Sequence, residues 1–406
     1  MGRSSLIMVL GFNIMFATIG FNISNVASDA YENYIDYYNG SVARQIASSG
    51  ANIAASQITF TPNWRTGYSN ISFQGGKFSA TVTDLSQGRI QVSVSATYNS
   101  VTCPSVLTLG LTKFSKFAYY SKIEGSIYWT TGDTVFGPFH TQDKIRISGD
   151  PVWFGKATSK NGISKDPSTS KPQFLGGYQS GVDINLPADL SGIEASAQSG
   201  GKYFNNQDIY LKLNSNGSAT YRIGSWTATP ATTMPLSTLA PNGVLMAHDA
   251  NLHLKGVLSG QLTVSATGSS VASKGNVWID SSVTYKNNPL TNPTSTDMLG
   301  IVCDNGIVVT DNANNNNPKK GVTIHASILS ISGGLKAENY DTRPVAGTLR
   351  LLGGVQQYQR GAVGKFGGSG MTSGFHKDYR YDDRLMIGSP PLYPTTGTYE
   401  VLSWYE

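Results

Sequence analysis

The sequence predicts an α+β protein: a long N-terminal hydrophobic α-helix, a small antiparallel β module, then a large β-rich body read as a parallel β-helix, or solenoid. Three observations lead there. No Asp, Glu, Lys or Arg occurs from Ser4 to Ser28. Apolar residues keep helical spacing beyond that run, to about Gln57. After Thr59 the composition turns to Gly, Ser, Thr and Asn with alternating β-branched residues. The expected organisation is a helix over 1–58, an antiparallel module over 59–122, a solenoid body over 123–375 and an aromatic C-terminal strap over 376–406.

The helix comes first. An uncharged run of this length meets the roughly 20 residues a helix needs to span a bilayer. Arg3 precedes it and Asp29, Glu32 and Asp36 follow it, which favours an N-terminus on the cytoplasmic side. A cleaved secretory signal is the rival, but its apolar region would be only ~7–15 residues. Val26, Ala30, Tyr34, Tyr37, Val42, Ile46, Ile53 and Ala54 continue an amphipathic stripe past the apolar run, and a discarded peptide has no use for it. Leu6, Ile7, Leu10, Ile14, Phe16, Ile19, Ile23 and Val26 are the candidate contacts of a helix bundle. Gly11, Gly20, Ala47, Gly50, Ala51 and Ala54 are the small residues expected to let helices approach closely.

The module over 59–112 shows period-two alternation in Asn70–Phe73, Lys77–Thr83, Arg89–Thr97 and Val106–Leu109, with turns at Gly75-Gly76 and Gln87-Gly88. Its apolar face suits the exposed half of the helix. Lys113–Tyr120 is expected as a short linking helix. In the body, short strands are punctuated by Gly, Asn and Asp. Leu245, Leu262 and Ile279 fall seventeen residues apart, and Ile127 and Ile145 eighteen. Such spacing approximates one coil of a solenoid; a sandwich also places strands at short, regular intervals. Ser159–Gly201 and Asn312–Lys320 read as inserted loops. The tail reads as a strap over the last coil.

Composition narrows the function. Charged residues make up 14% of the chain, Gly numbers 45 and the net charge is +5. No Lys/Arg block exists, so nucleic acid is not an expected partner. The cysteines, Cys103 and Cys303, form no CxxC pair and give no zinc site. Outside the cytoplasm they could form one disulfide; Cys303, in an apolar strand pattern, reads equally as a buried thiol. Asp133 with Asp143 and Asp249 with Asp280 are candidate carboxylate pairs for a glycosidase, though Asp is an ordinary turn residue. His140, His248, His253 and His325 show no metal spacing, and His248 and His253 are the two that could meet Asp249. No enzyme and no cofactor are expected.

The opening Gly2–Gly11 and the segment Ala43–Ala54 resemble the N-terminal helix of type IV pilin-like proteins. Gly132–Asp143, Ser148–Val152, Gly353–Gly364, Lys377–Asp382 and Pro390–Pro394 resemble uncharacterised bacterial envelope proteins that join such a helix to a solenoid body. Two departures stand out: no Glu precedes Glu32, and Met1-Gly2 is shorter than a typical leader. The resemblance implies a structural subunit of an extracellular filament, a helical homopolymer whose helices form an apolar core. It implies the inner membrane and the pilus assembly machinery as partners before extraction, and the cell surface afterwards. Two other readings stay open: a minor or tip pilin or adhesin that contacts other pilins or surface glycans, and a membrane-anchored β-helix enzyme acting on carbohydrate.

Overall fold

A computed structural model describes residues 2–85, 88–268, 273–367 and 370–406. Met1 and Gln87 of the expected turn lie outside the described residues. The chain is a long N-terminal helix followed by a large β-rich body with antiparallel and parallel sheets. It divides into two compact units, Met1–Thr112 with Gly397–Glu406, and Lys113–Thr396.

In the first unit the helix runs from Arg3 to Phe60. Its buried residues are Asn39, Ala43, Ile46, Ala47, Gly50, Ala51, Ala54 and Ile58. These steps of one, three and four residues trace one helix face. Antiparallel strands Tyr68–Phe73, Gly76–Leu85, Arg89–Tyr98 and Val101–Lys113 cover that face in sequence order. Alternate residues point to the helix, as period two requires: Phe78, Ala80, Ile90, Val92, Val94, Ala96, Leu107 and Leu109 join its core. Each large side chain buried there contributes about 1.5–3 kcal/mol. The small residues of the helix are thus used against its own sheet. A Cβ on Gly50 would lie 2.7 Å from Phe78 and 3.1 Å from Val94, so only glycine lets the strands come this close. A fifth strand, Thr395–Tyr405, neighbours Val101–Lys113. Its Trp404 donates to Ser105 Oγ at 3.1 Å.

That strand corrects the expected C-terminal strap. Gly370–Arg380 pairs with Val345–Gln359 in the second unit, while Gly397–Glu406 belongs to the first. The reason is an open edge: strand Val101–Lys113 has unpaired backbone groups along one side until another strand arrives. The expected linking helix is only a single 3-10 turn, Phe114–Lys116, and Tyr119–Ile123 is already a strand of the second unit.

The second unit is built on parallel ladders. One is continuous through ten strands, along Lys202, Leu245, Val264, Ile301, Ile328, Val355, Tyr119, Phe139, Ala157 and Tyr178. Its two ends, at Lys202–Asn205 and Tyr178–Ser180, leave it open. A second ladder aligns Ile209, Leu252, Val277, Ile307 and Leu335. A third aligns Val283, Ile324, Leu351 and Tyr379. Parallel in-register pairing sets apolar residue on apolar residue, and the core follows these lines from Ile209 to Phe375.

The path of the chain is not a simple progression. It enters mid-ladder at Tyr119–Ile123, runs outward to Tyr178–Ser180 and crosses through 181–201. It restarts at Lys202–Asn205 and returns strand by strand until Gln356 pairs beside Tyr120. Helix Ser191–Gly200, in the crossing, covers outward-facing Met246 and Val244 with Ile193 and Ala197.

Several sequence expectations change here. Leu245, Leu262 and Ile279 are not successive rungs: Leu245 pairs with Val264, Leu262 with Leu299, and Ile279 with Leu254 and Val309. The eighteen-residue step holds near Ile145, which pairs with Ile163. Ser159–Gly201 is no single insertion, because Ile163–Lys165, Gln173–Phe174 and Tyr178–Ser180 are ladder strands. Asn312–Lys320 is a packed loop. Asn315 is wholly buried and donates to the carbonyls of Ile279 and Thr310, and Asn316 accepts from Arg343. Both cysteines are free thiols. Cys303 is sealed among aliphatic side chains of the second unit, where burial pushes its thiol pKa far up. Cys103, in the first unit, lies 3.6 Å from the Gly40 carbonyl.

Candidate functional site

A long run of exposed large apolar side chains lies along the first half of the helix. Leu6, Ile7, Leu10, Ile14, Phe16, Ile19, Ile23 and Val26 are between 45% and 77% exposed. An apolar area this large on a soluble monomer would be unfavourable, so it marks a contact with lipid or protein. By length and composition the helix can cross a membrane. Two of its polar side chains bond back to the helix backbone, as an apolar surrounding favours. Asn13 donates to the Val9 carbonyl at 3.0 Å, and the Thr18 hydroxyl reaches the carbonyls of Ile14 and Met15 at 3.0 and 2.8 Å. Tyr31, Tyr34, Tyr37 and Tyr38 follow the apolar run, all exposed, where amphipathic rings suit a membrane–water boundary.

The six small residues divide. A Cβ on Gly11 or Gly20 would meet no atom within 4 Å, so these two sit in open space on the apolar half. Ala47, Gly50, Ala51 and Ala54 are buried on the first unit's sheet. Sequence alone could not separate them, because close approach to a strand and close approach to a helix both select small side chains.

The imidazoles and carboxylates occupy separate places. His140 is wholly buried in the second unit, 2.8 Å from Thr158 Oγ1 and stacked on Tyr120. Burial lowers its pKa to about 4. His325 is also buried, accepts from the Tyr285 N–H at 3.1 Å, and is pulled to about 4 for the same reason. His248 meets Glu194 at 3.3 Å and Asp249 at 3.5 Å. His253 does not turn to Asp249; it lies on Tyr210, centroids 4.1 Å apart, and meets Asp280 at 2.8 Å. Asp280 also accepts from Trp226 Nε1 at 2.6 Å and Thr310 Oγ1 at 2.5 Å. Burial works to raise its pKa, but these donors, His253 foremost, hold it below the usual carboxylate value. Asp133 accepts from the Thr130 N–H at 2.7 Å and Asp143 from the Lys144 N–H at 2.8 Å, the hydrogen bonds of turn residues. Among the described residues no three or more His, Cys, Asp or Glu are grouped to hold a metal ion.

No known family's model matches the chain, and no curated protein matches it. Among solved structures, the chain is similar to the competence-associated pilin ComZ from Thermus thermophilus, at a TM-score of 0.37 and 12% identity, over 91% of this chain and 97% of that one. A likeness of that degree decides nothing about the role of this chain.

Proposed function

We propose that this protein is a structural subunit of an extracellular pilus-like filament. The observation that carries the reading is the exposed apolar helix end, with Asn13 and Thr18 bonded back to its backbone and its far half clamped to a sheet. The helix holds the subunit in the bacterial inner membrane until extraction. It then packs with other copies through Leu6, Ile7, Leu10, Ile14, Phe16, Ile19, Ile23 and Val26, with Gly11 and Gly20 giving close approach. The pilus assembly machinery is the partner at that step. The body, a parallel β-helix on the support of its in-register ladders, is carried on the outside.

On this reading the chain acts through assembly; among the carboxylates singled out in the sequence, Asp133 and Asp143 serve turns and Asp280 is held by His253, Trp226 and Thr310. The test is electron microscopy of sheared surface material with mass spectrometry of the fibres. This chain as the dominant mass of a regular fibre supports the reading; its retention in membranes with no fibre refutes it. A minor or tip adhesin is the second reading, favoured by a cleft in the body lined with aromatic and charged residues. Traces of the chain confined to fibre ends would select it.

A further inference from the structure

The interior of the second unit is apolar along nearly its whole length, but one inward line ends on polar residues. Val322 pairs with Leu349, and Leu349 with Lys377. Val322 and Leu349 are wholly buried. Lys377 takes the next inward position, with Tyr379 two residues on, and both open into a cleft of about 620 Å³. The cleft lies where strand Val345–Gln359 meets Tyr119–Ile123, the join between the two runs of the ladder.

Three cations line it among the described residues, and one of them, Arg380, is paired with Asp378. The Arg360 side chain is only 12% exposed, its guanidinium 4.7 Å from the Trp129 ring centroid. Its Nη1 is buried without a hydrogen-bond partner among the described residues, and Glu124 Oε2 stands off at 3.8 Å. The Glu124 oxygens are already taken by Trp129 Nε1 at 3.1 Å and by the Ser121 hydroxyl. Lys377 has no ion-pair partner among the described residues. Three acids, Asp133, Asp378 and Asp383, line the same cleft. Asp133 is committed on one side to its turn, and Asp378 to Arg380 at 3.2 Å.

The walls are fixed. Tyr381 donates to the Lys116 carbonyl at 2.8 Å, and its ring lies so close to Gly137 that a Cβ there would come within 2.6 Å. Phe136 borders the cleft, exposed, with its ring stacked on that of Phe154 at 5.0 Å and 5°.

We propose that this cleft binds an acidic oligosaccharide, a uronate-bearing sugar whose carboxylate is taken by Arg360 and Lys377. Its hydroxyls donate to the acids, and its C–H face lies on Phe136. The placement of charge selects this class. A planar carboxylate suits a guanidinium with a free N–H, and sugar hydroxyls need acceptors such as Asp133, Asp378 and Asp383. A nucleic-acid backbone would bring a row of phosphates against those three acids, with Arg360 and Lys377 to receive them and Arg380 already paired with Asp378.

The experiment uses the full chain in detergent micelles and titrates it calorimetrically with trigalacturonate, with neutral trigalactose and with a short thymidine oligonucleotide. Trigalacturonate binds, and trigalactose binds at least about tenfold more weakly, the size expected for losing charge-assisted hydrogen bonds. Lys377→Met weakens trigalacturonate by a similar factor, and Phe136→Ser, on an exposed ring, weakens it without changing the melting curve. No heat from trigalacturonate at millimolar concentration, equal binding by both folded variants, or tighter binding of the oligonucleotide would each overturn the proposal. Soluble subunits suffice, so a negative result here leaves the filament reading standing, and an absence of fibres leaves this one standing.

Discussion

Ile14→Asp tests the role of the helix most directly. Ile14 lies about ten residues into the uncharged run, roughly 15 Å along the helix, near the middle of a hydrocarbon layer about 30 Å thick. It is 58% exposed and belongs to neither unit's core. On the insertion scale Ile contributes about −0.3 to −0.6 kcal/mol and Asp costs about 2.5–3.5 kcal/mol at the centre. The exchange therefore costs about 3–4 kcal/mol, or a factor of roughly a hundred to a thousand. The same carboxylate would have to be buried unpaired in a bundle of helices. The readouts are the membrane-bound fraction, the yield of sheared fibres by electron microscopy, and the melting of the purified chain. Membrane retention and fibres should fall by at least tenfold while the melting curve stays unchanged. Fibres at wild-type abundance from Ile14→Asp would refute the assignment of this face to the core.

Three further outcomes are expected. Gly50→Val should destabilise the first unit by about 1–3 kcal/mol through overpacking against Phe78 and Val94, read by denaturant unfolding. Arg343→Ala should cost on the order of 3–5 kcal/mol in the second unit, because its buried guanidinium serves the carbonyls of Val309, Thr310 and Glu338 together with Asn316. Acid should also weaken the second unit. His140 and His325 have folded pKa values near 4 against 6.5 unfolded, so below 6.5 the unfolded chain binds the extra protons. Stability is full above about pH 6.5 and is lost as pH falls toward 4, by up to about 3 kcal/mol per histidine. His140→Gln should flatten part of that slope in urea titrations, and an unchanged slope would refute the assignment.

Local pattern carried much of the fold. The helix was legible because an uncharged run and a stripe at helical spacing are both contained in one segment. The strands over 59–112 alternate cleanly because one face meets the helix and the other meets water. The body was harder, for a physical reason. Loops of different length separate its ladder strands, so Leu245, Val264, Ile301 and Ile328 share one line at unequal intervals, and the equal spacing of Leu245, Leu262 and Ile279 carried no register. The pairing of Val355 with Tyr119 joins residues that no local window contains. Asn315 and Asn316 looked like solvent-facing polar residues because their partners, the Ile279 carbonyl for one and Arg343 for the other, lie far off in the chain. The cleft shares this difficulty: Asp133, Arg360 and Lys377 come from three separate stretches, although all three fall in phrases the sequence already marked as distinctive.

The neighbouring positions of strands Val101–Lys113 and Thr395–Tyr405 govern how the protein is made. The ribosome releases the first four strands of the sheet early, then must add roughly 280 residues before the fifth exists. At about 5–20 residues per second this takes about 15–60 s. During that interval the nascent chain carries an open strand edge beside a greasy helix, the combination most prone to wrong pairing. Tyr119–Ile123 waits almost as long for Val355 and Gln356. A truncated product that stops short of Thr395 would keep the edge of Val101–Lys113 open, and one that stops short of Val355 would keep both open. Pairing of Thr395–Tyr405 is thus the later of these two closures.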